Sequence, residues 1–542
     1  MVHYLKKLEE QIRLHGGKPA LCDYNGPSWT YADLAEQIAQ FHLFFKAAGI
    51  RKGDRIALCG RSSARWGIFF LAINTYEAVV VPILANFTPD GVERLVQHSE
   101  CILMITDPDI WKRMDSKKLP LLAGVLSTKA DALLWARGAK IKQAWSERKK
   151  TFSQFYPAGF QPAIVNYPGD NGGDLAIINY TSGTSGDPKG VMLTYDAMSD
   201  IVEYCQQHIR QEPDVLVSML PLAHMYGLAM EFIYPCCTGF TIHFLGKTPS
   251  PSLLLQSLQE IRPTLVVTVP LIMEKVYRNY VAPALNTRSA KAMRSVPGLR
   301  SSFYKSVGKK LMKDFGGRVE QIIIGGAPLN WDVESGYRKI GLPYVVGYGL
   351  TECCPLLSLE RPESFVPGSC GKPIHEIRID SSDPEHVPGE IQAKGPNLFI
   401  GYLKNPAADE AAHTEDGWFR TGDLGIMDEG GNLFIRGRIK ALILSASGQN
   451  IYPEEVEQVV LRHPAVEEAL VLDKGGKVIA LVYPKADALP VLDEEHVQMM
   501  ALDIRDEANK HLPIFSQIFQ VEIVELPFER TAKGSIKRHL YQ

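Results

Sequence analysis

The stretch Tyr180-Thr181-Ser182-Gly183-Thr184-Ser185-Gly186-Asp187-Pro188-Lys189-Gly190-Val191 sets seven Ser, Thr or Gly residues and one lysine directly behind an apolar run. Leu175 to Tyr180 reads as a buried strand. The loop behind it offers closely spaced backbone N–H groups, the hydroxyls of Thr181, Ser182, Thr184 and Ser185, and the mobile charge of Lys189. A concave row of N–H groups attracts an anion, so the pattern predicts a phosphate-handling loop. The spacing departs from the Walker loop, in which a glycine and then Lys-Ser/Thr open a helix. Here Pro188-Lys189-Gly190 leads into another apolar segment, which disfavours a kinase-like or GTPase-like reading.

Outward from this stretch, short β-branched runs such as Val79-Val80-Val81, Leu265-Val266-Val267-Thr268-Val269 and Gln321-Ile322-Ile323-Ile324 alternate with amphipathic segments. That alternation predicts a layered α/β architecture of mostly parallel sheets covered by helices. From Glu376 the segments become shorter, alternating and rich in turns, as in Gly389-Glu390-Ile391-Gln392-Ala393-Lys394 and Gly430-Gly431-Asn432-Leu433-Phe434-Ile435. A smaller β-rich subdomain is expected over about 376–439. The main boundary is expected at Arg436-Gly437-Arg438-Ile439-Lys440, dividing a large N-terminal domain, 1–439, from a small α+β C-terminal domain, 440–542. A chain of 542 residues exceeds what one hydrophobic core organises.

A formal charge of -3 gives no global reason to expect a nucleic-acid partner. Nine cysteines, an odd number without any CxxC, fit neither a zinc site nor a disulfide framework and point to a reducing, cytoplasmic compartment. Met1 to His15 reads as a surface helix closed by Gly16-Gly17 and not as a signal peptide. The apolar region Val215 to Leu245 is interrupted by Pro221, His224, Glu231, Pro235 and His243, which suits buried core better than a bilayer span. Arg288 to Arg318 carries Lys291, Arg294, Arg300, Lys305, Lys309, Lys310 and Lys313 against Asp314. It reads either as a solvated face or as a peripheral docking surface for anionic lipid or cofactor phosphates.

Four further motifs follow in order: Pro221-Leu222-Ala223-His224-Met225-Tyr226-Gly227, Gly325-Gly326-Ala327-Pro328-Leu329, Gly347-Tyr348-Gly349-Leu350-Thr351-Glu352, and Gly417-Trp418-Phe419-Arg420-Thr421-Gly422-Asp423 ahead of Arg438. With the loop at 180–191 they resemble the adenylate-forming superfamily of acyl-CoA synthetases, firefly luciferase and nonribosomal-peptide adenylation domains, over nearly the whole chain from about Lys18. The resemblance implies an ATP site in which Thr181, Ser182, Gly183, Thr184, Ser185, Gly186 and Lys189 hold the phosphates. It implies that Gly326, Ala327 and Pro328 border the purine, with Gly347, Tyr348 and Gly349 beside it and Tyr348 stacked on the adenine. Thr351 then meets a phosphate, and Glu352 offers Mg2+ a hard oxygen ligand; the alternative for Thr351 and Glu352 is a capping role at a helix start. Asp423 and Arg438 are expected to clamp the ribose. His224 is expected as a wall or gate toward the acyl tunnel, with Tyr226 alongside. Lys440 matches the hinge about which the small domain turns between half-reactions, and Ser447-Gly448-Gln449 is expected to face the thiol tunnel.

The C-terminal text departs from the family pattern. Where the family places a lysine that bridges the carboxylate and the α-phosphate, Pro527-Phe528-Glu529-Arg530-Thr531-Ala532-Lys533-Gly534-Ser535-Ile536-Lys537-Arg538 places Ser535. A serine supplies no positive charge, so Lys533, with Lys537 as the alternative, is expected to take over. Pro263-Thr264-Leu265-Val266-Val267-Thr268-Val269-Pro270 followed by Met273-Glu274-Lys275-Val276-Tyr277 resembles long-chain acyl-CoA synthetases. The expected reaction is activation of a long-chain fatty acid by ATP to acyl-AMP and then acyl-CoA, with Mg2+ as cofactor. Transfer to a carrier protein, release of free adenylate, and a non-catalytic acyl-nucleotide binder are the rivals, and oligomeric state stays open.

Overall fold

The β-branched runs form strands as their composition predicts: Val79–Ile83, Leu265–Thr268 and Gln321–Ile324 are buried at every position. A computed structural model describes the chain apart from residues 183–187, 210–214, 247–248, 288–289, 291–292, 294–295, 297–298, 445–448, 486–487, 489–493, 531–535 and 542.

Among the described residues, an eight-stranded sheet has the spatial order Gly401–Tyr402, Pro188–Thr194, Leu175–Ser182, Val79–Ile83, Arg55–Cys59, Leu103–Thr106, Gly124–Ser127, Leu133–Ala136. From Leu175–Ser182 to Gly124–Ser127 the pairings are parallel, which is why those strands read as continuous apolar runs. Both margins are antiparallel. A seven-stranded sheet runs Tyr344–Val346, Gln321–Ile324, Leu265–Thr268, Val215–Ser218, Thr241–Phe244, Pro19–Asp23, Ser28–Thr30, parallel except for its last pair. Helix Tyr31–Ala48 shows how local sequence sets an element: Thr30 and Asp33 form a reciprocal capping box, and Gly49 closes the helix at φ 83°.

The chain divides into two compact units, residues 1–329, 336–365 and 394–411 in one and 330–335, 366–393 and 412–542 in the other. The first holds both large sheets. The second holds a four-stranded sheet (Glu376–Asp380, Gly389–Lys394, Phe419–Met427, Leu433–Arg438) and a three-stranded one (Val466–Asp473, Val478–Pro484, Gln520–Ile523). Within it, Arg436 of the four-stranded sheet pairs with Glu455 at 3.4 Å.

The N-terminal helix, Tyr4–Leu14, is not a surface element. Tyr4, Leu5, Leu8 and Ile12 are fully buried, and Leu14, the next apolar position, is 65% exposed. The apolar stripe docks on the first unit, which composition alone did not require. Val215–Ser218, Leu228–Cys237 and Thr241–Phe244 form buried core, and among the described residues no helix is long and apolar enough to cross a membrane. The nine cysteines are unpaired thiols, eight of them buried. The basic region includes helix Leu299–Asp314, whose Arg300, Lys305, Lys309, Lys310 and Lys313 are exposed; Lys291 and Arg294 lie outside the described residues.

Candidate active site

Leu175–Ser182 and Pro188–Thr194 form an antiparallel hairpin in which Thr181 faces Lys189 and Asn179 faces Val191. Side chains alternate across a strand, so Asn179, Thr181, Lys189 and Val191 share one face and Tyr180 points to the other. The sequence predicted the strand to end at Tyr180; the pairing carries it on to Ser182. Gly183, Thr184, Ser185 and Gly186 lie outside the described residues. On the far face Tyr180 is buried and its hydroxyl hydrogen-bonds His98 Nδ1 at 2.7 Å, which ties the root of the loop to helix Pro89–His98.

The strand Gly401–Tyr402 extends the hairpin, with Tyr402 opposite Val191 and Gly401 opposite Met192. Tyr402 therefore stands on the face of Lys189, one diagonal step away, within reach of an aromatic side chain. Lys189 Nζ lies 4.6 Å from the centre of its ring, and the Tyr402 hydroxyl donates to Glu352 Oε1 at 3.0 Å. Glu352 is anchored through its backbone as well, its carbonyl accepting from Phe399 N–H at 2.8 Å. Thr351 and Glu352 belong to a three-residue turn, Thr351–Cys353, and not to a longer helix. Cys353 Sγ accepts from Leu350 N–H at 3.3 Å across the turn, and the side-chain hydrogen bond of Glu352 among the described residues falls on Oε1, leaving Oε2. Glu352 is thus available as an oxygen ligand. Burial and the Glu352 charge both push the Tyr402 hydroxyl pKa up, which keeps it a donor.

In Gly347-Tyr348-Gly349, the backbone of Tyr348 bridges to Ser358, and a Cβ on Gly349 would lie 1.9 Å from the Pro355 carbonyl oxygen. Only glycine fits there. Gly326 stands at φ 87°, and Gly326, Ala327 and Pro328 are exposed at the end of the strand Gln321–Ile324. A Cβ on Gly325 would meet the Tyr226 ring at 2.9 Å. The Tyr226 hydroxyl reaches the carbonyls of Thr268 and Ile323 at 3.2 and 3.1 Å. Tyr226 thus links the His224 loop to the motif expected to border the purine.

The His224 loop is fixed from three sides. Asn179 Nδ2 donates to the Ala223 carbonyl at 2.9 Å, and the Ser62 hydroxyl accepts from Leu222 N–H at 3.0 Å. Glu231, fully buried, gathers the Ser218 hydroxyl at 2.9 Å and the N–H groups of Met219 and Leu220 at 3.1 and 3.0 Å on Oε2. Burial pushes its pKa up to about 8, against the three donors that favour the carboxylate. His224 itself is half-buried at the head of the short helix Met225–Gly227.

In the second unit, antiparallel pairing sets Asp423 opposite Arg438, and Arg438 Nε lies 3.0 Å from Asp423 Oδ1. The acid is buried and the arginine exposed, so the pair presents one edge of a carboxylate and a guanidinium fork. Lys440 is exposed in the turn Ile439–Ala441. Gly448, Lys533 and Ser535 lie outside the described residues. Flanking the last two, Arg530 bridges Ile536, Lys537 Nζ pairs with Glu529 at 3.1 Å, and Arg538 is held by Glu457 and by the Val471 carbonyl at 3.0 Å.

Sequence reasoning passed over Tyr402, Asn179, Ser62 and Glu231. For Tyr402 the available signal was a Gly-Tyr pair in a two-residue strand. The other three are single polar residues in apolar runs, whose roles appear only when distant strands pair.

Comparison with known proteins bears on the same residues. A family model described as AMP-binding enzyme matches residues 8–403, and one described as AMP-binding enzyme C-terminal domain matches residues 440–542. The long-chain-fatty-acid–CoA ligase FadD15 of Mycobacterium bovis is 29% identical over 469 residues, 82% of this chain and 75% of the relative. Long-chain-fatty-acid–CoA ligase 1 of Homo sapiens is 27% identical over 496 residues, 84% and 70% of the two chains. The ATP-bound crystal structure of MatB from Rhodopseudomonas palustris superposes with a TM-score of 0.76 at 24% identity, covering 98% of each chain, a likeness of fold. With a glycine-rich hairpin, a Thr-Glu turn and an Asp–Arg pair where the resemblance led one to look, and with the family model spanning most of its length, the chain belongs to the AMP-binding enzyme family.

Proposed function

We propose that this chain is an AMP-forming acid–thiol ligase that activates a long-chain fatty acid with ATP and passes the acyl group to coenzyme A. The observation that carries the reading is the meeting of Lys189 and Glu352 at Tyr402, with Thr181 opposite Lys189: a cation and a hard-oxygen ligand at the root of a glycine-rich loop. Long-chain substrates are supported by the names of relatives that match over more than four-fifths of the chain.

In this reading the fatty carboxylate, already ionised near neutral pH, attacks the α-phosphorus. An O–P bond forms, the bond to the β-phosphate breaks, and pyrophosphate leaves toward the 181–189 loop. The thiol sulfur then attacks the acyl carbon and AMP departs. Lys189 and the loop N–H groups offset charge on the departing phosphates, and Lys533 supplies the cation at the reacting carboxylate in place of Ser535. Lys537 is the weaker candidate because its ammonium is engaged by Glu529. Asp423 and Arg438 hold the ribose, His224 walls the acyl passage, and the C-terminal segment turns about Lys440. The residues present suit Mg2+, which favours one or two carboxylates together with phosphate oxygens: Glu352 has Oε1 held by Tyr402 and Oε2 uncommitted among the described residues. When bound, the ion neutralises phosphate charge.

Peripheral contact of the exposed cations of Leu299–Asp314 with anionic lipid, against the alternative of a solvated face, is tested by cosedimentation with phosphatidylserine vesicles at low and high salt. The catalytic reading is tested by pyrophosphate release across acids of graded chain length, with and without coenzyme A, on this chain and on Ser535→Lys. Release that peaks with long acids and acyl-CoA in the products supports it. Ser535 favours one second reading, a non-catalytic acyl-nucleotide binder, for which the outcome is binding without pyrophosphate in either protein.

A further inference from the structure

Tyr402 touches both charges of the candidate nucleotide site, and no motif of the sequence assigned it a part. Its ring carries Lys189 at 4.6 Å, its hydroxyl donates to Glu352 at 3.0 Å, and Lys189 and Glu352 are not ion-paired with each other among the described residues. The side chain is held firmly: it is 6% exposed, its N–H donates to Asp409 Oδ1 at 2.5 Å, its ring lies 4.8 Å from that of Phe399, and Leu403 N–H bonds the Gly190 carbonyl at 2.8 Å.

A lysine and a glutamate near one another would ordinarily pair and neutralise the charges a metal–nucleotide needs. A ring face attracts a cation without supplying an anion, and a phenol donates to a carboxylate without supplying a cation. We propose that Tyr402 is a positioning residue that keeps Lys189 and Glu352 apart, each oriented and each unspent, so that both remain available to the phosphates and to their metal. The inference rests on the nucleotide reading above.

The test uses the full chain and two affinities: that of a nonhydrolysable ATP analogue in EDTA, by calorimetry, and that of Mn2+ for the protein–nucleotide complex, by electron paramagnetic resonance. Tyr402→Phe keeps the ring and loses the donor. It is expected to weaken Mn2+ by about tenfold, the effect of one hydrogen bond to a charged group, and to leave metal-free nucleotide affinity within about twofold. Tyr402→Leu removes the spacer as well and is expected to weaken metal-free nucleotide by about fivefold as Glu352 captures Lys189. Adding Glu352→Gln to Tyr402→Leu is expected to restore that affinity, a rescue that a merely damaged fold would not give. Unchanged Mn2+ affinity in Tyr402→Phe, or no rescue in the double variant, overturns the inference while the nucleotide reading stands. Failure of the unaltered chain to bind Mn2+ and nucleotide overturns both.

Discussion

The hairpin Leu175–Thr194 and the segment Phe528–Arg538 each carry a lysine of the proposed reaction, and of the two only Lys189 lies among the described residues. Lys189 sits opposite Thr181 in a sheet, on the ring of Tyr402, with Gly190 leaving room for the side chains of Leu403 and Tyr180 at 3.2 Å from where a Cβ would stand. Its position follows from backbone register. Lys533 lies outside the described residues; on either side of it the chain forms the bridge Arg530 to Ile536 and the partly exposed pairs Arg530–Glu468 and Lys537–Glu529. Such exposed pairs contribute little to stability. Register fixes which hairpin residues share the face of Tyr402, so the proposed reading leaves no neighbour of Lys189 to replace it, whereas near the C-terminus that reading offers Lys533 or Lys537 in place of Ser535.

Removing Glu352, which shares Tyr402 with the hairpin lysine, should have the largest effect. Glu352→Ala is expected to lower the rate of pyrophosphate release by about a hundred- to a thousandfold, measured with saturating acid and ATP. On the other side, Lys533→Ala is expected to cost about a hundredfold, and Lys537→Ala, whose ammonium is already paired, less than about threefold. Equal losses in the two lysine variants would remove the distinction drawn here.

Stability measurements sharpen the comparison further. Glu231, which braces the His224 loop, has a folded-state pKa raised to about 8 by burial. The folded protein therefore holds a proton that the unfolded chain has released, and stability falls as pH rises from the unfolded carboxyl range, near 4.5, toward 8. Oε1, engaged among the described residues by Met219 N–H alone at 3.2 Å, is the oxygen left to carry that proton. Unfolding free energies between pH 5 and 8 should decline less in Glu231→Gln than in the unaltered chain, by a difference on the order of 3 kcal/mol across the window. Parallel curves would show that the carboxyl stays ionised on its three donors. Gly349→Ala, where the new methyl group forces the Pro355 carbonyl aside, is expected to cost about 2 kcal/mol, read from denaturant midpoints.

Much of this was legible beforehand, for identifiable reasons. The loop at 180–191, the Gly-Tyr-Gly-Leu-Thr-Glu segment and the Asp423–Arg438 pair are local patterns in which spacing along the chain is already geometry. Antiparallel pairing then brought Asp423 and Arg438 into direct contact. Tyr402, Asn179 and Glu231 were not legible because their partners lie 50, 44 and at least 11 residues away and meet them through tertiary structure. The N-terminal helix misled for a related reason: alternating lysines and glutamates look solvated, yet Lys7 and Glu9 are themselves 9% and 6% exposed beside the buried stripe. A long side chain can lay its stem along apolar surface while its charge finds a partner.

The two-residue strand Gly401–Tyr402 has a practical corollary for anyone recombining this chain with its relatives. Inserting a single residue just before it would turn the phenol to the opposite side of the sheet and leave a bare glycine above the lysine, since facing alternates with every step. Crossover points in chimaeras should therefore move residues 188–194, 351–353 and 399–403 as one inseparable block, although more than two hundred positions of chain separate its ends.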